Sequence, residues 1–292
     1  MKISECKDLF LSYIQDKSVN TLKNYDVDLK QFTQIVGDKN ISDVSKADVA
    51  KFRMILQSKN RKSSTIARKL ASLNSFFQYL IDIELISSSP ITKSHRPKIS
   101  QKIPSSLSNE EVKKLLENTQ DKTLKTIIIL LISTGLRSSE ILSIKRDSIT
   151  VERDGKTFKV DTLIKEGVSE EDIAFIRVRG KGDKEREIPI TGRPLEILVD
   201  YLKSHDFDTV FPISYHLLWR KIRETGRKLG IDIHPHKLRH TAATMALQAG
   251  AELRVIQELL GHASPITTAR YAKVGQKQLL KATKVLAEKM DL

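Results

Sequence analysis

Four polar side chains near the C-terminus have the types and spacings needed to work on a phosphodiester. They lie in HPHKLRHTAATMALQAGAELRVIQELLGHASPITTARYAKV, residues 234–274. His236 and Arg239 are three apart and share one face of a helix. His262 follows in Leu-Leu-Gly-His, where Gly261 ends an amphipathic helix and supplies a corner. Tyr271 comes nine residues later, in Thr-Thr-Ala-Arg-Tyr. A planar guanidinium holds non-bridging phosphate oxygens through its fork of donors. Imidazole moves protons near neutral pH. A phenol becomes an attacking oxygen once its proton is managed. The histidines also invite a metal reading, since His236 and His240 are at i and i+4 with His234 and His262 in reserve. Against it, no carboxylate lies between residues 233 and 251, and Arg239 would sit beside the cation. No metal and no cofactor are expected; His240 reads as structural and His234 as a loop residue.

Two further stretches upstream belong with these. In TGLRSSEILSI, Gly135 ends one helix and Arg137 opens the next, with Glu140 three residues on. In RGKGDKER, Lys181 stands between two glycines at a hairpin tip, with Lys184 a second candidate. Glycines let backbone approach a ligand closely, and lysine is a mobile donor able to protonate a leaving oxygen. Taken singly, these are an ordinary helix-start ion pair and a solvated turn residue.

Taken in order, Thr-Gly-Leu-Arg-x-x-Glu, Gly-Lys-Gly, His-x-x-Arg, Leu-Leu-Gly-His and Ala-Arg-Tyr resemble the motifs of the tyrosine recombinases of the phage-integrase superfamily, and within it the Xer-type recombinases. The resemblance implies that Tyr271 attacks a DNA phosphodiester to give a 3′-phosphotyrosine and a free 5′-hydroxyl. Arg137 and Arg239 would neutralise the phosphate, with Glu140 supporting the site. His236 would assist the proton at tyrosine, His262 would donate to the phosphate, and Lys181 would protonate the leaving oxygen. One phosphodiester is exchanged for another, so no ATP is required. The resemblance also implies double-stranded DNA carrying a specific site, a tetrameric synapse passing through a Holliday junction, and C-terminal helix exchange between protomers. A partner recombinase or regulatory protein is a further implied partner. The role implied is resolution of chromosome or plasmid dimers; with no arm-binding domain ahead of residue 1, a phage integrase fits less well. A type IB-like topoisomerase shares this chemistry, and a DNA-binding protein with a decayed site is the second alternative.

The elements that must position these residues are mostly helical. The expected architecture is mainly α with a small antiparallel β-sheet. A helical, SAM-like core-binding clamp would span 1–88, a linker 89–104, and an α+β catalytic domain with a tail helix 105–292. Helices are expected over Ser4–Gln15 (Leu9, Phe10, Tyr13 and Ile14 inward), from Ser18 to about Val36, and onward from Ser45 and Ser63. Strands are expected over Ser148–Val151, Thr157–Leu163, Ala174–Arg179 and Arg186–Ile190, with Asp154-Gly155 as a turn. Residues 152–173 run longer than the family's usual connection and read as an extra hairpin on the sheet edge. The tail QKQLLKATKVLAEKMDL is a last amphipathic helix; docking on an adjacent protomer is preferred over packing on its own domain.

Charge identifies the partner. Of 292 residues, 50 are Lys or Arg and 36 Asp or Glu, a net +14. Residues 1–100 hold 17 cations against 10 carboxylates and the remainder 33 against 26, so both halves are basic, as a protein gripping a duplex from two sides would be. Between Asp48 and Asp82 no carboxylate occurs, yet Lys51, Arg53, Lys59, Arg61, Lys62, Arg68 and Lys69 all do, which reads as a phosphate-facing surface. Arg220 and Arg223 lie on a later basic helix with Leu217, Leu218, Ile222 and Leu229 opposite, suited to a major groove. Mean hydropathy of −0.30 and the absence of an eighteen-residue apolar run exclude a membrane helix. Glu5 and Asp8 argue against a signal peptide, and the single Cys6 suits a reducing cytoplasm.

Overall fold

Serine hydroxyls set the start of two of the four long N-terminal helices. In the computed structural model, which describes residues 1–95, 97, 106–180, 185–261 and 276–289, these are α1 (Ile3–Tyr13), α2 (Val19–Val36), α3 (Lys46–Ser58) and α4 (Ser63–Asp82). Ser18 Oγ accepts from the Thr21 amide, and Ser45 and Asp48 cap one another reciprocally. The four helices form the first of two compact units, Met1–Lys102 and Ile103–Leu292. Its aliphatic core is threaded by phenylalanines: Phe10 meets Phe76 at 5.6 Å and Phe32 meets Phe52 at 5.4 Å, both edge-on. Burying each ring contributes roughly 1.5–3 kcal/mol.

One sequence expectation fails here. Leu9 and Tyr13 face outward, 43% and 67% exposed, because α1 buries Ile3, Cys6 and Phe10, a stripe at i, i+3 and i+7. Tyr13 instead stacks on Tyr79 at 4.7 Å. The beginning of the expected linker is also structured. Arg53 donates to the Ser94 carbonyl at 2.9 Å, and buried His95 accepts from the Thr92 amide through Nδ1.

The second unit is organised on α6 (Lys122–Thr134), buried along its whole length from Ile127 to Thr134. It follows α5 (Asn109–Glu117), whose start is a capping box of Ser108 with Glu111. Gly135 ends α6 in the left-handed conformation, and the short α7 (Ser138–Leu142) leaves that corner. The sheet is antiparallel in the order β2-β1-β3-β4, with β1 (Ile149–Arg153), β2 (Lys156–Lys159), β3 (Ile173–Arg179) and β4 (Glu185–Thr191). Asp154 and Gly155 both take positive φ at the β1–β2 turn, as a two-residue hairpin requires.

The expected strand 157–163 breaks at Lys159. Residues Val160–Glu166 form a helix, α8, because Val160, Leu163 and Ile164 recur at helical spacing and pack inward. So the long connection is a hairpin plus a helix. It is tied back by Arg153, which grips buried Asp172 at 2.7 and 3.0 Å and reaches Glu166. That bond to Asp172, with its charge, raises the Arg153 pKa despite burial.

Then come α9 (Arg193–Lys203), α10 (Tyr215–Leu229), α11 (Pro235–Gln248), α12 (Leu253–Leu260) and α13 (Gln276–Lys289). Helix α11 lies against α6. The tail helix α13 packs on β4, α11, α6 and α12 of its own unit, with Thr283 and Leu286 buried. Of the two placements weighed for the tail, the single chain shows this one. No helix among the described residues is long and apolar enough to cross a membrane.

Candidate active site

Two glycine corners bring the arginines together. Helix α11 begins at Pro235, pre-set for a helical first residue, with His234 as its N-cap: His234 Nδ1 accepts from the Lys237 amide. His234 is the loop residue the sequence suggested, and from that loop it also caps the helix. Burial, helped by nearby Arg223, Lys237 and His240, holds its imidazole below the ordinary 6.5.

One turn on, Arg239 is 4% exposed and reaches across the core. It donates to the Gly135 carbonyl at 2.6 Å and to the Leu260 carbonyl. Arg137 donates to the next carbonyl, that of Gly261, at 3.0 Å. The two guanidiniums therefore share one corner, with Gly135 and Gly261 both in left-handed backbone. A Cβ on Gly135 would stand 2.7 Å from Leu260 Cδ2 in left-handed backbone, so any larger residue here would strain the chain and displace Leu260.

Glu140 ties the cluster. Its carboxylate is 3% exposed and accepts from the Arg137 amide at 2.7 Å and from Arg137 Nη1 at 2.8 Å. It also accepts Arg186 Nη1 and Nη2, each at 2.9 Å. Burial would raise its pKa, but the bonds from Arg186 and Arg137 outweigh that and hold it below the usual carboxylate value. Burial, then the neighbouring Arg137, pulls Arg239 down to about 10, still protonated at neutral pH. Three guanidiniums thus face one carboxylate in a partly dehydrated pocket. A phosphate is the chemical group that such a surplus of planar donors accommodates.

Of the residues proposed from sequence, the structure brings together Arg137, Glu140 and Arg239. His236 sits on the exposed side of the first turn of α11, edge-on to the His240 ring at 4.5 Å. Lys181, His262 and Tyr271 lie outside the described residues, as does Lys184. Sequence reasoning missed Arg186. The RGKGDKER stretch drew attention to its lysines, and Arg186 is joined to Glu140 only across 46 positions of chain.

The basic surfaces divide more finely than the sequence suggested. Lys51, Lys59, Arg61 and Lys62 are exposed. Arg68 and Lys69 do have a counter-charge: Asp28 of α2, fully buried, accepts Arg68 at 2.7 and 2.9 Å, Lys69 at 2.6 Å and Ser72 at 2.8 Å. That carboxylate is 40 residues upstream of Arg68, invisible to a local charge count. On α10, Leu218 and Ile222 are buried and Arg220 is exposed, 3.9 Å from Glu224. Arg223 pairs with Asp232 at 3.2 Å and lies over Trp219 at 5.4 Å.

Comparison with known proteins bears on this arrangement. Residues 105–278 match the model of the Phage integrase family, and residues 8–83 that of the Phage integrase, N-terminal SAM-like domain. A tyrosine recombinase of Thermosipho africanus is 31% identical, covering 98% of this chain and 99% of that protein. Tyrosine recombinase XerA of Pyrococcus furiosus is 33% identical over 96% and 93%. Tyrosine recombinase XerC of Staphylococcus aureus is 30% identical over 96% and 95%. In fold, the chain resembles lambda integrase (75–356), crystallised as a dimer bound to a COC′ core site. There the TM-score is 0.72 at 17% identity, covering 94% of this chain and 99% of that one. It also resembles XerH bound to palindromic difH in a post-cleavage complex, with a TM-score of 0.63 at 19% identity, covering 96% and 80%.

Proposed function

This chain belongs to the phage integrase family, among the Xer-type tyrosine recombinases, and from that premise we propose that it cuts and rejoins DNA at a specific site through Tyr271. The observation that supports the reading most is the shared corner at Leu260–Gly261, where Arg137 and Arg239 converge with a positive surplus.

In the proposed step the Tyr271 oxygen attacks the phosphorus, forming a 3′-phosphotyrosine and releasing the 5′-oxygen. Arg137 and Arg239 neutralise the charge growing on the non-bridging oxygens; such preorganised stabilisation usually contributes more to the rate than any other single effect. His236, on the exposed side of α11, accepts or returns the tyrosine proton. Lys181 protonates the departing 5′-oxygen. His262, next in the chain after Gly261, donates to the phosphate. Reversal with a second strand's 5′-hydroxyl reseals the backbone, so bond energy is conserved and ATP is not consumed.

The exposed Lys51, Lys59, Arg61 and Lys62 of the first unit and Arg220 and Arg223 of α10 serve as contacts to the duplex. Lambda integrase has been seen as a tetramer bound to a Holliday junction. By that likeness four copies of this chain would pair two sites, with α13 leaving its own unit to join a neighbour. Chromosome or plasmid dimer resolution in the cytoplasm is the biological setting this assembly suits, alone or with a partner recombinase.

A plasmid bearing two copies of the site, found by mapping the covalently held nucleotide on genomic DNA, tests the reading. Recombinant circles are expected; relaxation without recombinants would favour a type IB-like topoisomerase instead.

A further inference from the structure

We propose that Arg186 is a positioning residue for strand cleavage: through Glu140 it fixes the Arg137 guanidinium in the orientation that receives the phosphate. The proposal rests on the recombinase reading of this site and adds to it a residue outside the sequence motifs.

An ionised carboxylate has about four good acceptor positions. Glu140 has all of them filled, two by Arg137 and two by Arg186. Remove Arg186, and Glu140 keeps bonds to one residue only, its own i−3 neighbour. The carboxylate is then held by the cap bond from the Arg137 amide and by the Arg137 side chain alone among the described residues, without the two-point clamp from β4. Arg137 would lose a rigid acceptor for Nη1 and keep only the Gly261 carbonyl for Nη2.

The exposures separate the two roles. Arg137 is the more open, 34% exposed, and retains donors for a phosphate. Arg186 is 17% exposed with both terminal nitrogens turned onto Glu140, so its fork is occupied. It therefore acts on Arg137, not on the substrate.

Three elements meet at this one guanidinium. Arg186 is carried by β4, opposite Val178 of β3; Glu140 lies on α7; and the guanidinium rests against the corner after α12. A Cβ on Gly261 would stand 2.8 Å from Arg186 Cζ. The corner that supplies Arg137 with its carbonyl is thus the one Arg186 packs on. A shift of about 1 Å in a positioned group can cost about 100-fold in rate, and Glu140 is where such a shift would begin.

The test compares Arg186→Gln and Arg186→Lys with the unaltered protein on a nicked suicide duplex. Site affinity and single-turnover adduct formation are both measured. The expected result is unchanged Kd, cleavage about 100-fold slower for Arg186→Gln, and partial recovery for Arg186→Lys. The decisive arm repeats cleavage with a methylphosphonate at the scissile position, which carries no charge and needs little from Arg137. Relative to the unaltered protein, the deficit of both variants should there shrink to a few-fold. An equal deficit on both substrates would mean general damage and would overturn the proposal, as would full activity of Arg186→Gln on the phosphodiester. If Arg186→Gln does not fold, Arg186→Lys decides by the same two-substrate ratio. Failure of the unaltered protein to form any adduct would instead overturn the recombinase reading itself.

Discussion

The two units each bury a carboxylate that holds two cations, and the contrast between them separates structure from chemistry. In the first unit Asp28 sits under Arg68, Lys69 and Ser72, joining α2 to α4 inside a helical bundle. Lys69 is nearly as buried as its partner, with 9% of its side chain exposed against 0%. In the second unit Glu140 holds Arg137 and Arg186, whereas Arg239, the third guanidinium, hydrogen-bonds backbone carbonyls alone among the described residues. Among the described residues no carboxylate pairs with it directly. Each hub sets one carboxylate against two cations, and the second unit adds a third guanidinium, Arg239, to the same corner. Burial is similar in both, so burial alone does not mark a site.

The largest expected effects come from breaking each hub. Glu140→Gln should lower the stability of the second unit by about 3–5 kcal/mol, the usual cost of unpairing a buried ion pair, and slow cleavage about 100-fold or more. Asp28→Asn should destabilise the first unit by a similar amount while leaving cleavage of bound DNA unchanged. The single tryptophan, Trp219, reports on the second unit alone. Its fluorescence against helical circular dichroism during denaturation distinguishes the two losses. Equal loss of cleavage in both variants would erase the contrast.

Next in size is Gly135→Ala. Left-handed backbone and the 2.7 Å approach to Leu260 should together cost about 1–3 kcal/mol, read as a lowered Tm, and should slow cleavage by loosening the shared arginine corner. An equivalent change at Gly37, also at positive φ but with open space around it, should lower Tm without slowing cleavage.

A pH dependence follows from His234. Its folded pKa is depressed, so its contribution is fully present above the unfolded value of 6.5 and is lost as pH falls through the folded one. Stability of the second unit should therefore decline on acidification below 6.5. His234→Asn, which caps without titrating, should flatten that decline; an unchanged slope would remove the capping role.

The smallest effect tests the cations of the first unit. Lys62→Gln should reduce the slope of log Kd against log salt by about 1. Lys69→Met should leave the slope unchanged, because its ammonium already belongs to Asp28.

What the sequence disclosed about the site follows from distance along the chain. Arg137 and Glu140 are three apart, so their pairing was visible as a local motif, and His-x-x-Arg on α11 likewise. Arg186 with Glu140 and Arg68 with Asp28 are contacts between elements far apart in sequence. No periodicity encodes them, so one was overlooked and the other mistaken for an absent counter-charge. The bundle, the antiparallel sheet and the Asp154-Gly155 turn were legible because each rests on local patterning. Residues Val160–Glu166 were not, since a short apolar run fits strand or helix until its packing partners are known. Leu9 and Tyr13 failed for a related reason: α1 has apolar residues on more than one face, and only its neighbours decide which is covered.

The central claim is that the Tyr271 oxygen becomes ester-linked to a DNA 3′-phosphate. Trapping the unaltered protein on a nicked suicide duplex, then digesting with protease and nuclease and reading the modified peptide by mass spectrometry, tests it directly. The account predicts a nucleotide on the peptide containing Tyr271 and no adduct from Tyr271→Phe. A nucleotide on any other residue, or an adduct that survives the phenylalanine substitution, would contradict it.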